Sequence, residues 1–198
     1  MKPWEAVVGR EPKGRTPSIL VVNDDGVYGE GLRPLARALG SLGEVTVVVP
    51  EKEQSSSSHS ITLHKPIRLR RLEERFYIIN GTPADCARFG ALCLLKRPPD
   101  LVVSGINRGA NMGADTLYSG TVGAAREACF LGIPAIAASL AVAMGRRAVP
   151  AERWNFPSAA RAVRALARLV LTNGLPPGVS LNVNVPDRPR GALGGVVL

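Results

Sequence analysis

Two adjacent carboxylates, Asp24 and Asp25, follow an apolar run, 19–22, that is typical of a buried strand. Two like charges held side by side cost free energy unless a positive group lies on them. A hard cation such as Mg²⁺ or Mn²⁺ prefers oxygen ligands and would supply that charge. A helix cap with a solvated neighbour is the simpler alternative. Three glycines within 26–31 leave room for backbone to approach a ligand.

A glycine-rich segment, 104–128, holds further polar residues that suit an anion site. It contains five glycines between 105 and 123 and leads into a predicted helix start at Ser119. Free backbone N–H groups and the helix dipole make such a start attractive to phosphate. Asn107 offers a neutral oxygen to a metal, and Asn111 offers donors to phosphate oxygens. An ordinary glycine-rich connection with a serine cap is the alternative.

The serine run 55–58, followed by His59, raises a nucleophile hypothesis. The GxSxG pattern is absent, so a serine hydroxyl that contributes to the metal rim is favoured over Ser–His catalysis. Two histidines are too few for a histidine-built zinc site.

The phosphate loop with Gly-Lys-Ser/Thr is absent, and so is a dinucleotide fingerprint at the first turn. A receiver domain needs an Asp where "SGIN" stands, and the Asp-x-Asp pattern of haloacid dehalogenases is also missing.

The elements that position these residues alternate between short β-branched runs and amphipathic stretches. Runs that are apolar throughout favour strands buried on both faces of a parallel sheet. We predict an α/β fold, a three-layer Rossmann-like, doubly wound domain with a mostly parallel sheet, whose ligands bind at the carboxyl ends of the strands. Thr82 and Pro83 form a helix start signal. The predicted strands are Ser18–Asn23, Val45–Val49, Phe76–Ile79, Leu101–Ser104, Ala135–Ala138 and Ser180–Val185, and the predicted helices are Gly31–Leu42, Pro83–Lys96, Ser119–Leu131 and Pro157–Thr172.

Length and composition limit the class of protein. The 198 residues, 45% of them hydrophobic, suit one domain over 18–198 after a polar N-terminal extension, 1–17. We find no transmembrane window and no signal peptide, which indicates a cytoplasmic protein without a membrane partner. The three cysteines are interpreted as buried, reduced thiols. The net charge is +9, but the arginines around 68–75 and 161–168 read as solvated faces without an aromatic platform, so we expect no specific nucleic-acid partner.

Several segments together resemble the SurE family of 5'/3'-nucleotidases: "ILVVNDDGVYGEGLRPLARAL", "VTVVVPEKEQSSSSHSITL", "GTPADCARFG", "PDLVVSGINRGANMGADTLYSGTVGAAREA" and "GIPAIAAS". The resemblance covers about residues 18–140 and extends to "SLNVNVP". It implies a metal-dependent phosphatase, a phosphomonoester hydrolase that converts nucleoside 5'- or 3'-monophosphates to nucleoside and phosphate. It also implies one divalent cation, Mg²⁺ or Mn²⁺. By motif position, the metal ligands are Asp24, Asp25, Ser55 and Asn107, with the two aspartates also catalytic, and the phosphate is surrounded by Asn111, Ser119, Gly120 and Thr121.

Two departures from the family pattern modify this expectation. The loop that typically reads "DRNRSGAS" is here "EKEQSSSS", so Ser55 keeps its place while Lys52 and Gln54 replace arginines and Ser56 replaces a glycine. The chain ends at "GGVVL", short of the portion that family members use in subunit contacts, although a homodimer or homotetramer remains the expectation. A non-catalytic nucleotide-binding module is the alternative function, and the division of work between Asp24 and Asp25 stays open.

Overall fold

The computed structural model describes residues 14–142 and 154–197, so most of the predicted extension 1–17 lies outside the described residues. Within these ranges, seven strands and five α-helices form an α/β domain. The strands are β1 Ser18–Val22, β2 Glu44–Pro50, β3 Leu69–Glu73, β4 Phe76–Ile79, β5 Leu101–Arg108, β6 Ala135–Ala141 and β7 Leu181–Pro186. The helices are α1 Leu32–Leu39, α2 Pro83–Phe89, α3 Asp115–Tyr118, α4 Gly120–Phe130 and α5 Phe156–Asn173.

The strands form one sheet in the order β3-β4-β2-β1-β5-β6-β7. Every pairing is parallel except that of β3 with β4, which is antiparallel. The predicted doubly wound, mostly parallel sheet is therefore confirmed, and each of the six predicted strands is present. The sequence analysis missed β3, whose five residues are all exposed. Arginine and glutamate side chains on such an edge discourage pairing with another chain.

The sheet is covered by helices on both faces because its central strands are apolar on both faces. In β1, Ile19 and Val21 belong to the core that α1 and α5 cover, whereas Leu20 and Val22 belong to the core under α2 and α4. All four side chains are fully buried. Alternate residues of a strand point to opposite faces, so one short run supplies both cores. The carboxyl end of β1 is thereby fixed between the two helical layers.

Helix α2 begins as predicted but ends early. Thr82 is its N-cap and forms a capping box with Asp85: the Thr82 hydroxyl accepts from the Asp85 N–H at 3.1 Å, and the Asp85 carboxylate accepts from the Thr82 N–H at 2.8 Å. A π-helical turn, Gly90–Leu94, follows Phe89. This turn places Cys93 in solvent, whereas Cys86 is buried and Cys129 is partly buried. The prediction of buried thiols is therefore correct for Cys86 and wrong for Cys93.

Among the described residues, no helix is both long enough and apolar enough to cross a membrane.

Candidate metal and phosphate site

The first turn after β1 is built around Asn23. The Asn23 amide donates to the Gly26 carbonyl at 2.8 Å, and the Gly26 N–H donates back to the Asn23 oxygen at 3.1 Å. Gly26 has a φ of +74°, which favours glycine. A Cβ at Gly29 would lie 2.6 Å from the Asn23 amide nitrogen. The side chain of Asn23 therefore fixes the backbone that presents the two aspartates.

Asp24 lies under the N-terminus of α4. Its side chain is buried, and its Oδ1 accepts a hydrogen bond from the Thr121 hydroxyl at 2.5 Å. Its backbone carbonyl accepts from the Gln54 N–H at 2.8 Å, which ties the loop after β2 to the end of β1. Gly120, the first residue of α4, has no room for a side chain, because a Cβ there would lie 2.9 Å from the Asp24 Cβ. Close contact between helix and carboxylate thus depends on glycine.

Burial is the main influence on the electrostatics of both aspartates. Burial raises the pKa of Asp25 to about 7, with further contributions from Asp24 and Glu53 and an opposing one from Arg108. Burial also raises the pKa of Asp24, against the hydrogen bond from Thr121. Arg108 favours the charged form of Asp25 but does not outweigh the burial of that carboxylate. A bound cation would favour the charged forms of both aspartates.

The serine loop, 55–60, is attached to the helices α3 and α4. The Ser58 N–H donates to the Tyr118 carbonyl at 2.9 Å, and the Ser58 hydroxyl donates to the Leu117 carbonyl at 2.7 Å. A Cβ at Gly123 would lie 2.2 Å from the Ser58 carbonyl oxygen, so the loop lies directly on α4. The Ser60 carbonyl accepts from the Thr82 hydroxyl at 2.6 Å. These contacts bring the serine run to the end of β1.

Two serines of this loop face different environments. Ser55 is exposed, and its hydroxyl donates to the Glu53 carboxylate at 2.6 Å. The Ser57 hydroxyl oxygen is buried and has no hydrogen-bond partner among the described residues. It would lie 2.7 Å from a Cβ at Gly120, which places it at the start of α4 beside Asp24. Buried hydroxyls are normally hydrogen-bonded, so Ser57 is a candidate contact for a ligand.

His59 is not part of a Ser–His pair. Its Nε2 lies 2.8 Å from one oxygen of the buried Glu127 carboxylate, whose other oxygen accepts from Arg88 at 2.8 Å. The ring of Phe130 lies against the imidazole, with 5.4 Å between ring centroids. The imidazole therefore attaches the serine loop to α4.

Asn107 lies on β5, which is longer than predicted and ends at Arg108. The Asn107 amide nitrogen donates to the Gly109 carbonyl at 2.9 Å, which leaves the amide oxygen for another partner. A Cβ at Gly31 would lie 2.3 Å from the Ile106 carbonyl oxygen. The turn after β1 and the "SGIN" segment are therefore in direct contact, as expected for adjacent strands.

Asn111 is anchored by the C-terminal strand. Its N–H donates to the Asn184 side chain at 2.8 Å, and its carbonyl accepts from Asn182 at 2.8 Å and from Asn184 at 3.1 Å. Its side-chain nitrogen donates to the Ser139 hydroxyl at 2.9 Å. One N–H of that amide is thus used within the protein. The sequence analysis did not assign a role to Asn182 or Asn184, although their spacing of two in "LNVNVP" places both on one face of β7.

The remaining predicted phosphate residues form the start of α4. The Ser119 hydroxyl accepts from the Val122 N–H at 3.1 Å as the N-cap, which leaves its own proton for another acceptor. Gly120 contributes its backbone N–H at the helix start, and the Thr121 hydroxyl donates a hydrogen bond to Asp24.

The site is poor in nitrogen and sulfur ligands. No cluster of three or more His, Cys, Asp or Glu side chains with metal-binding geometry occurs in the part of the chain that the structure describes. A cation here needs serine and asparagine oxygens in addition to the aspartates. This composition is typical of hard cations rather than zinc.

The model of the family described as "Survival protein SurE" matches residues 19–198. The chain belongs to the SurE family. This confirms the resemblance that the motifs indicated, and it extends the match through the C-terminal strand that anchors Asn111.

Curated relatives of this SurE chain carry the name "5'-nucleotidase SurE". The protein from Pelobacter propionicus is 52% identical over 171 residues, which are 86% of this chain and 66% of the relative. The protein from Geobacter sulfurreducens is 49% identical over 181 residues, which are 91% of this chain and 66% of the relative. The chain thus spans just under two thirds of the length of these relatives. The crystal structure of the SurE protein from Aquifex aeolicus superimposes with a TM-score of 0.79 at 41% identity, over 88% of this chain and 68% of that one.

Proposed function

We propose that this SurE chain is a metal-dependent phosphatase that hydrolyses nucleoside 5'- and/or 3'-monophosphates to nucleoside and phosphate. The observation that carries the proposal is the placement of Asp24, the first of the two adjacent aspartates, directly beside the N-terminus of α4. An acidic pair needs a cation, and a helix N-terminus favours an anion, so a metal and a phosphate fit side by side. The printed names of the relatives support a nucleotide as the phosphate donor.

The residues of the site fit one divalent cation. Asp24, Asp25, Ser55 and Asn107 offer only oxygen ligands, which suits Mg²⁺ or Mn²⁺. Burial raises the pKa values of both aspartates, and a bound cation would favour their charged forms. When bound, such a cation polarises a phosphoryl oxygen and helps to orient water.

The chain's own residues bind and orient the phosphate. The N–H groups at the start of α4 and the hydroxyl of Ser119 provide donors for its oxygens. The unpartnered Ser57 hydroxyl lies at the same helix start. These donors are fixed before substrate arrives, because the serine loop is already hydrogen-bonded to α3 through Ser58 and to α4 through His59 and Glu127.

Proton transfer falls to Asp25 in this proposal. Asp24 is buried and held by Thr121, whereas Asp25 is only partly buried and has a pKa of about 7. A carboxylate that is not fully buried can take a proton from an attacking water.

Phosphate release from a panel of nucleoside monophosphates tests the function. We expect release with Mn²⁺ or Mg²⁺ and loss of release with EDTA or in Asp24→Asn. Near-unchanged, metal-dependent turnover by Asp24→Asn would show that the site is assigned wrongly. Binding of AMP that is insensitive to EDTA, without phosphate release, would instead favour a nucleotide-binding module.

A further inference from the structure

Glu53 is a third carboxylate at the rim, and its one described hydrogen bond is to Ser55. Its Oε1 accepts from the Ser55 hydroxyl at 2.6 Å, a short distance typical of a charge-assisted O–H···O⁻ bond. Glu53 was not among the site residues that the sequence predicted. One residue separates the partners in the chain, so the contact is set by the local shape of the loop.

The backbone places this pair beside Asp24. Gln54, the residue between Glu53 and Ser55, donates its N–H to the Asp24 carbonyl at 2.8 Å. A Cβ at Gly26 would lie 3.0 Å from the Pro50 carbonyl oxygen and 3.7 Å from the Glu53 nitrogen. The loop therefore lies on the turn that carries both aspartates, and the negative charge of Glu53 acts on both of them.

The chemistry of a serine ligand explains what such a contact does. A hydroxyl has one proton and two lone pairs, and only a lone pair binds a cation. The proton must therefore point elsewhere, and an acceptor on the far side fixes that direction. Partners of this kind orient metal ligands and raise their basicity, and their loss typically weakens metal binding by about 10- to 100-fold.

We propose that Glu53 is a positioning residue, which takes the Ser55 hydroxyl proton and so directs the serine oxygen toward the cation held by Asp24 and Asp25. This inference rests on the proposed metal site. Glu53 itself does not touch the phosphate, and it acts through Ser55.

The test is titration calorimetry of the metal-stripped protein with Mn²⁺ alone. We expect Glu53→Ala to weaken Mn²⁺ binding by about 10- to 100-fold. Glu53→Gln retains an acceptor oxygen and recovers part of that loss. Ser55→Ala weakens binding as well, and the double variant Glu53→Ala/Ser55→Ala binds no more weakly than Ser55→Ala within about twofold, because contacts that act through one another are not additive.

Glu51→Ala is the matched control, because Glu51 is an exposed carboxylate of the same loop. We expect it to bind Mn²⁺ like the wild type, and all variants should keep the wild-type unfolding temperature. Wild-type affinity in Glu53→Ala would overturn the inference. So would a double variant whose loss is the product of the single losses, since Glu53 would then act through its charge alone. A wild type that binds no Mn²⁺ would overturn it too.

Phosphate release from AMP, measured separately, keeps the two proposals apart. A protein that shows the expected Mn²⁺ pattern and releases no phosphate refutes the proposed function and leaves the role of Glu53 intact. An active, metal-dependent enzyme that is indifferent to Glu53→Ala refutes the role of Glu53 alone.

Discussion

The Thr121 hydroxyl donates to the Asp24 carboxylate at 2.5 Å, across 97 positions of sequence. The contact joins the second residue of α4 to the carboxyl end of β1. One hydrogen bond therefore fixes the start of α4 relative to Asp24. The proposed phosphate site and one proposed metal ligand are joined by it.

Thr121→Val removes that hydrogen bond while it keeps the shape of the side chain. The buried Asp24 carboxylate then loses its hydroxyl donor, and we expect a loss of about 1–3 kcal/mol in the free energy of unfolding, measured in urea. Thr116→Val is the control, since the Thr116 hydroxyl donates to the Gly113 carbonyl in an exposed turn. Equal losses of unfolding free energy in the two variants would contradict a specific role for the Thr121–Asp24 hydrogen bond.

Gly120→Ala tests the close contact at the start of α4. Alanine is a better helix former than glycine, so a helix in open space would gain stability. Here the new Cβ would lie 2.7 Å from the Ser57 hydroxyl and 2.9 Å from the Asp24 Cβ. We expect phosphate release to fall at least about tenfold, because a small displacement of positioning groups carries a large cost in rate. Gly40→Ala, where the nearest atom would be 3.5 Å away, should leave activity unchanged.

Glu127→Gln tests how the serine loop is fastened. Glu127 is buried and carries the contacts to both His59 and Arg88. Hydrogen bonds to charged groups are worth about 1.5–3 kcal/mol, and we expect a loss of this order in unfolding free energy. Amide hydrogen exchange at residues 55–60 should also become faster. The exposed Glu74, changed to Gln, provides the control, and unchanged exchange in Glu127→Gln would argue against fastening through α4.

Asp100 lies at the opposite end of the sheet from the candidate site, and it makes the free energy of unfolding depend on pH. Burial alone would raise the pKa of Asp100, but hydrogen bonds from Arg15, the Ser18 N–H and Arg97 outweigh it and lower that pKa. A lowered folded-state pKa stabilises the protein above the unfolded value, near 4, and this contribution is lost as the pH falls. Asp100→Asn should therefore be less stable than the wild type at pH 7, and the difference in unfolding free energy between the two proteins should narrow at about pH 3.

Urea unfolding at both pH values measures this gap. Asp115→Asn serves as the comparison, because Asp115 is exposed on α3. A gap that stays constant between the two pH values would show that Asp100 acts through its shape and not through its charge.

Patterning of apolar residues was enough to predict the central sheet. Continuous apolar runs such as 19–22 have no competing interpretation once they alternate with helical stretches. The edge strand β3 carries no such signal, because all of its side chains are exposed and its strand character comes from pairing with β4. The π-helical turn after Phe89 was missed for a similar reason, since nothing in "GALCL" distinguishes it from α-helix.

The candidate site was predictable where the residues lie at strand ends. Asp24 and Asp25 follow β1, Asn107 lies near the end of β5, and these two strands are neighbours in the parallel sheet. The contacts of Glu53 with Ser55 and of Asn182 with Asn111 depend on loop shape and on the register of β7, which one sequence does not reveal. The motifs thus predict the members of the proposed site but not the contacts around them.

The C-terminal strand has a consequence for how this protein can be divided. Three hydrogen bonds join the Asn182 and Asn184 side chains to the backbone of Asn111, so β7 supports the glycine-rich loop as well as the edge of the sheet. A fragment that stops before residue 181 would keep every proposed metal ligand. It would lose the hydrogen bonds that hold the Asn111 backbone at the proposed phosphate site. Split-protein or fragment-complementation designs should therefore keep 181–186 together with 104–121, and a fragment without β7 is expected to bind a cation better than it turns over a phosphate ester.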